Sequence, residues 1–408
     1  MTACDPGGMP APRPASLWTR HFTLVFAITF ITFFAAFQLF PTAPLRLLQL
    51  GAGVAESGWF LAAFTAGSAT GALFTGPLGD RVGQRRMVVG CAIGFGLFLA
   101  AYGLLTARWG FYALAFPHGV VWSGLLTASM ATLGHVLPPE RRADGLSIFG
   151  LASPGGVIVG PMVGLAVYRH FGFLPISRSL GLTFVILGLL SLSLPRDPEH
   201  QDAPRAFQFP GRELLAPCSV LFATALGYGA LGTYTAQEAL AQHFPPLFGV
   251  IPTEAAFLSC MAVGMVAMRI VMTKVGFGRN PTRLLPAMLW AAVAGLALLA
   301  VLPGGAARHA SSALLYGAGY SMVHTLVNTH VLEITPPSRR GAAFGATLFS
   351  FDSGIGLGSF FIGSIIGWGC ARFGPLGYRA GWLAAAAVAL LGVPLSHRLL
   401  REAHRPPE

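Results

Sequence analysis

The chain is a succession of apolar stretches of about 20 residues divided by short polar connections, and that is the length a helix needs to cross hydrocarbon. Twelve stretches are read: 20–41, 57–78, 87–106, 111–137, 145–168, 173–194, 214–239, 254–275, 284–303, 309–335, 342–368 and 375–397. The ~10-residue alternation of membrane β-strands is missing from the chain. The pattern therefore predicts an all-α membrane protein of twelve transmembrane helices. The first stretch is too long for the apolar core of a signal peptide, and no small-residue cleavage site follows it. Residues 1–17, rich in Pro and Gly, are expected to form a disordered tail, and residues 401–408 a second tail.

Composition agrees. The chain is 54% hydrophobic and 10% charged, against about 25% charged in soluble proteins. Its net charge of +11 in a soluble protein would suggest nucleic acid. Here the basic residues sit in the connections, as cytoplasmic loops require, and no nucleic-acid partner is expected. Eighteen of the 26 Lys and Arg fall on the side of the N-terminus and seven opposite, with Arg269 inside a span. Both termini are thus expected in the cytoplasm and the chain in a cytoplasmic (inner) membrane. Cys4, Cys91, Cys218, Cys260 and Cys370 are scattered and read as small packing residues without a disulfide framework or metal site. No phosphate-cradling loop, nucleophile with its base or metal-ligand set is present, so neither an enzyme nor a cofactor is expected.

The chain repeats itself. Residues 118–142, HGVVWSGLLTASMATLGHVLPPERR, align without a gap on 316–340, YGAGYSMVHTLVNTHVLEITPPSRR, at an offset of 198. Gly119 falls on Gly317, Ser123 on Ser321, Thr127 on Thr325, and Gly156 and Gly160 on Gly354 and Gly358. This divides the chain into six-helix bundles at 18–194 and 214–400, joined by a cytoplasmic linker at 195–213. Parallel repeats of this kind suggest a transporter whose site lies between the halves near the midplane.

After the second stretch comes Gly76-Pro77-Leu78-Gly79-Asp80-Arg81-Val82-Gly83-Gln84-Arg85-Arg86. Its glycines allow close helix ends, and its acid suits a helix N-terminus. The segment resembles the G-x-L-a-D-R-x-G-R-[KR] loop of the major facilitator superfamily, and the span count and repeat extend the resemblance over both halves. The resemblance implies a gate at this loop, with Asp80 facing the start of the eleventh span near Gly341 and Ala342, and Arg81 and Arg85 pairing with acids or lipid phosphates. The second-half counterpart, Thr273-Lys274-Val275-Gly276, lacks the acid. In the fifth span, Gly156, Gly160, Pro161 and Gly164 allow close packing and a kink. They are similar to the family's antiporter motif, which marks exporters, although Ser147 and Leu165 replace its outer glycines. Ala115 stands where related drug exporters carry an arginine, which leaves uptake open.

Polar residues inside the spans are costly and need a reason. Tyr316, Tyr320, His324 and Asn328 are spaced by four, close to one face of a helix. In the family that the chain resembles, spans one, four, seven and ten line the central path. Phe34 and Gln38, His118 and Trp122, and Tyr234 and Gln237 fall on the other three. The resemblance thus implies an aromatic pocket with few fixed charges, suited to an amphipathic organic molecule. His118, Glu238, His324 and Asp352 are candidates to carry a proton. His118 equally reads as a hydrogen-bonded packing residue, and Asp352 as an acceptor for Ser350 or a neighbouring helix. Arg269 is open to snorkelling, to pairing with Asp352 or to binding an anion. The expectation is a monomeric secondary transporter for proton-coupled export of a small amphipathic compound. Uptake of a metabolite is the alternative, and a transport-inactive sensor or assembly factor the remote one.

Overall fold

The structure is a computed structural model that describes residues 16–138, 141–195, 211–275, 281–336 and 340–402. The first half contains α1 (Arg20–Gln49), a short α2 (Val54–Ser57), α3 (Trp59–Val82), α4 (Gln84–Tyr102), α5 (Arg108–Val136), α6 (Arg142–Phe149), α7 (Ala152–Phe171) and α8 (Phe173–Leu190). The second contains α9 (Leu215–Ala241), α10 (Thr253–Val275), α11 (Leu285–Val301), α12 (Ala306–Ile334), α13 (Arg340–Phe373), α14 (Gly377–Leu390) and α15 (Gly392–Glu402). Every predicted stretch falls on helix, two of them on a pair of helices, and no strand occurs among the described residues. The linker expected at 195–213 lies largely outside the described residues. Leu17, placed in the tail by the sequence, is 2% exposed and belongs to the core.

Two predicted spans are broken, both by proline. Proline has no N–H, and its ring clashes with the carbonyl four residues earlier. Pro154 acts on Gly150, where α6 gives way to α7, and Pro394 acts on Leu390, where α14 gives way to α15.

Six stretches are long and apolar enough to cross a membrane by length and composition: Arg20–Gln49, Gln84–Tyr102, Phe173–Ser193, Leu215–Ala241, Thr253–Val275 and Gly345–Leu399. α3, α5 and α12 are equally long but carry more polar residues. These residues are turned inward: Thr65, Ser68, His118, Ser123, Thr132, Ser312 and Ser321 are all buried. In a bilayer such groups must find partners inside the protein.

The two halves are built alike. α1 packs on α7 and α3 on α5 in the first, as α9 packs on α13 and α10 on α12 in the second. Glycines set these contacts at matching places. A Cβ on Gly119 would overlap the carbonyl of Phe64, and one on Gly317 that of Met261. Gly156, Gly160 and Gly164 lay α7 against Phe34, Phe37 and Gln38 of α1, as Gly354 and Gly358 lay α13 against Phe222 and Leu226 of α9. Gly119→Val should therefore force α3 and α5 apart at a cost of about 3 kcal/mol or more. Gly90→Val is the control, because a Cβ there meets nothing within 4 Å. Thermal unfolding of the detergent-purified variants should show a large fall for the first and little change for the second.

Candidate functional site

The helices have one end at the face where α1 begins, here the near face, and the other at the far face. From mid-bundle to the far face the halves are held together. Ser68 on α3 donates to Asp352 Oδ2 on α13 at 2.6 Å. Ser259 on α10 donates to the Ile158 carbonyl on α7 at 2.6 Å. Further out, Ser359 Oγ donates to the Gly58 carbonyl at 3.0 Å, and Gln237 Nε2 to Ser57 Oγ at 2.9 Å. Tyr234 Oη donates to the Ser359 carbonyl at 2.9 Å and reaches the Ala55 carbonyl at 3.4 Å. Arg169 pairs with Glu254 at the far edge.

Toward the near face α3 and α13 diverge. A Cβ on Gly356 would touch Thr65 and Ala62 of α3, whereas one on Gly345, three turns closer to the near face, would meet nothing within 4 Å. Gly76 on α3 approaches only Thr127 of its own half. The result is a cleft between the halves, closed at the far face.

The second half lines this cleft with aromatic rings. Tyr228 stacks on Tyr320 with centroids 4.7 Å apart and an interplanar angle of 16°. Tyr320 lies 6.1 Å from Phe351, and His324 sits edge-on to Phe351 at 5.2 Å. Asn328 Nδ2 donates to the His324 carbonyl at 2.8 Å and lies 3.2 Å from its Nδ1. In the first half, Phe30 and Phe34 on α1 stack with centroids 6.2 Å apart, with the Phe30 ring against Gly155 of α7. Phe34, His324 and Asn328 are half-buried, and Tyr320 is buried behind Tyr228.

Other residues expected in the pocket lie elsewhere. Because Gly119 draws α5 onto α3, His118 is turned into the first bundle. It is fully buried, 3.2 Å from Tyr102 Oη, and walled by Phe64, Phe95 and Phe98. Trp122 packs on Phe33, Phe64 and Phe95. Gln38 lies in the α1–α7 seam against Gly164. Tyr316 is buried in the second bundle, with its hydroxyl on the Thr224 carbonyl at 2.9 Å. Tyr234 and Gln237 belong to the far-face closure instead of the pocket, because Gly58 and Gly363 give the Tyr234 hydroxyl room to cross the seam.

Glu238 is removed from the cleft altogether. It is fully buried and held by Arg308 at 2.5 Å, His309 at 3.2 Å, Trp382 Nε1 at 2.8 Å and Gln242 at 3.0 Å. Arg308, read from the sequence as a residue of an outer connection, is 4% exposed and donates also to the Leu299 carbonyl. Asp352 accepts from Ser68 and not from Ser350, whose hydroxyl bonds the Cys218 carbonyl. Sequence reasoning missed Ser68, Tyr228, Phe351, Arg308, His309 and Trp382. Phe351 was within sight beside Asp352, and the Arg308-His309 pair at the head of a span was a signal for a buried acid.

In the expected gate, Gly83 has φ +99°, a conformation that favours glycine, and turns α3 into α4. Asp80 is exposed and accepts from Gln84 Nε2 at 2.9 Å. Gly79 leaves room for that Gln84 side chain. Arg85 donates to the Leu192 carbonyl. Residues 337–339, which lead into the start of the eleventh span that Asp80 is expected to face, lie outside the described residues, as does Gly276 of the second-half counterpart.

Comparisons agree with this architecture. Residues 25–359 match the family profile of the Major Facilitator Superfamily. The chain is 23% identical to the staphylopine export protein of Staphylococcus aureus, over 84% of this chain and 89% of that one. It is 25% identical to the multidrug resistance protein MdtG of Yersinia enterocolitica, over 41% of each. The crystal structure of the nucleoside transporter NupG superposes with a TM-score of 0.72 at 14% identity, over 95% of this chain and 100% of that one. Two like-built bundles of helices around a cleft, together with a profile match over most of its length, make this chain a multi-pass membrane transporter of the Major Facilitator Superfamily.

Proposed function

We propose that the protein exports a small amphipathic organic compound in exchange for protons, by rocking of its two halves. The observation that carries this reading is the Asp352–Ser68 hydrogen bond. It places a carboxyl group in the interior, on the seam across which the halves must part. A charge there is costly in a membrane, so proton loss and gain at Asp352 is coupled to whether the seam is closed or open to water. Export is supported by the names of the relatives above and by the glycine packing of α7 on α1.

The near face is cytoplasmic by the distribution of Lys and Arg, so the cleft opens to the cytoplasm of a cell with this protein in its inner membrane. The pocket combines Phe34, Tyr320, His324 and Asn328 with Tyr228 and Phe351. In the opposite state, Asp80, Arg81 and Arg85 latch the near face. The protein works as a monomer, since the cleft is complete within one chain.

The test is proton flux in proteoliposomes with a pH probe inside, challenged with lipophilic cations, weak acids and neutral metabolites. Substrate-dependent proton movement opposite to the substrate is expected. Movement in the same direction would replace export by uptake, and substrate flux without proton movement would remove the coupling.

A further inference from the structure

Arg269 is a cation for which the described residues hold no counter-ion. It lies on α10 one turn beyond Met265, whose carbonyl is 3.4 Å from the Ser321 hydroxyl of α12, and two turns beyond the fully buried Ala262. That face of α10 looks into the bundle. The side chain is nevertheless exposed, and since α10 runs parallel to α12 (Met261 against Gly317, Met265 against Ser321) it lies level with His324, one turn past Ser321. It is within electrostatic range of His324. Among the described residues it forms no ion pair. Asp352, the acid that the sequence offered as its partner, is taken by Ser68.

An arginine inside a membrane protein is expensive unless something compensates it. Its neighbours His324 and Asn328 carry an imidazole and an amide, and the acid next to the shelf, Asp352, is already held across the seam by Ser68. Beside them stands the shelf of Tyr228, Tyr320 and Phe351. A guanidinium binds carboxylate through two parallel hydrogen bonds, and a ring shelf takes a flat apolar body.

We propose that Arg269, with His324 and Asn328, binds the carboxylate of the transported compound, and that the Tyr228–Tyr320–Phe351 shelf takes its apolar part. The cargo class is a lipophilic monocarboxylate. This rests on the reading of the cleft as the transport site, but not on the coupling ion or the direction.

Equilibrium binding tests it with the full chain in phosphatidylcholine nanodiscs, which contain no anionic lipid. The probes are 1-naphthoate, 1-naphthamide and 1-naphthylmethylammonium, alike in shape and different in charge. Wild-type protein should bind naphthoate about tenfold tighter than the amide, the worth of one charge-assisted contact. Arg269→Gln should weaken naphthoate by about the same factor and leave the amide unchanged. Arg269→Lys, which keeps the charge and loses the fork, should fall between, and decides the matter alone if the Gln variant does not fold. The proposal is overturned if wild type binds naphthoate no better than the amide, if the ammonium binds tightest, or if folded variants bind naphthoate like wild type. No gradient is used, so failure of proton exchange and failure of carboxylate binding are read separately.

Discussion

Asp352→Asn should abolish concentrative transport while downhill substrate flux continues. Asparagine keeps the shape of the side chain and can still accept from the Ser68 hydroxyl, which lies 2.6 Å from the native carboxylate. It cannot take up or release a proton. The seam between α3 and α13 therefore still closes, but its closing no longer depends on protonation. In proteoliposomes with an imposed pH gradient, accumulation should drop by more than about tenfold, the loss expected when a charge-dependent energy of over ~1.4 kcal/mol disappears. Proton movement on adding substrate should vanish. Ser68→Ala is the companion variant: it removes the hydrogen bond and keeps the acid, so it should shift the pH dependence and retain coupling. Full coupling in Asp352→Asn would move the proton site elsewhere on the cleft, with His324 the next candidate.

The second large effect concerns stability. Glu238→Ala should leave Arg308 buried at 4% exposure without its carboxylate, and should strip Trp382 Nε1 and His309 of an acceptor. Removing one partner of a buried ion pair costs about 3–5 kcal/mol. At about 2–4 °C per kcal/mol for a unit the size of one bundle, the unfolding midpoint in detergent should fall by roughly 10 °C. The double variant Glu238→Leu with Arg308→Met should recover most of this loss, because replacing both charges by apolar groups is often neutral. This contrast separates a structural tie from a proton carrier. Recovery of stability together with retained coupling in the double variant would assign the network to holding α9, α11, α12 and α14 together. Loss of coupling in a folded double variant would return Glu238 to the transport mechanism.

Much of the fold was legible from local chemistry. Twelve apolar stretches lie on the helices found, because hydrocarbon thickness fixes how many residues a helix needs. The match of Gly119 with Gly317, and of Gly156 and Gly160 with Gly354 and Gly358, reappears as equivalent helix contacts. A glycine at a close crossing cannot be exchanged for another residue without moving the helix. Gly83 likewise reveals a turn, since its φ of +99° is open to few residues other than glycine.

The direction in which a side chain faces was much less legible. In a soluble helix the polar stripe meets water and the apolar stripe meets the core. In a membrane helix, lipid and protein interior are both apolar, so periodicity does not distinguish them. His118 and His324 look alike on helices matched by the repeat, yet one is walled by Phe64, Phe95 and Phe98 and the other borders the cleft. Glu238 and Asp352 are both intramembrane acids, yet one is tied within its own half and the other to the opposite half.

The sequence by itself determined the membrane class, where along the chain the apolar spans lie, the duplicated six-helix plan and the glycine turns, all of which follow from how many apolar residues stand in a row and where a Cβ cannot fit. Only the tertiary structure decided which polar residues share a cavity, which close the far face and which neutralise one another. Those pairings join positions up to 301 residues apart, as in Ser359 and Gly58, and depend on the rotation of each helix about its axis, for which a chain apolar on both sides carries no local signal.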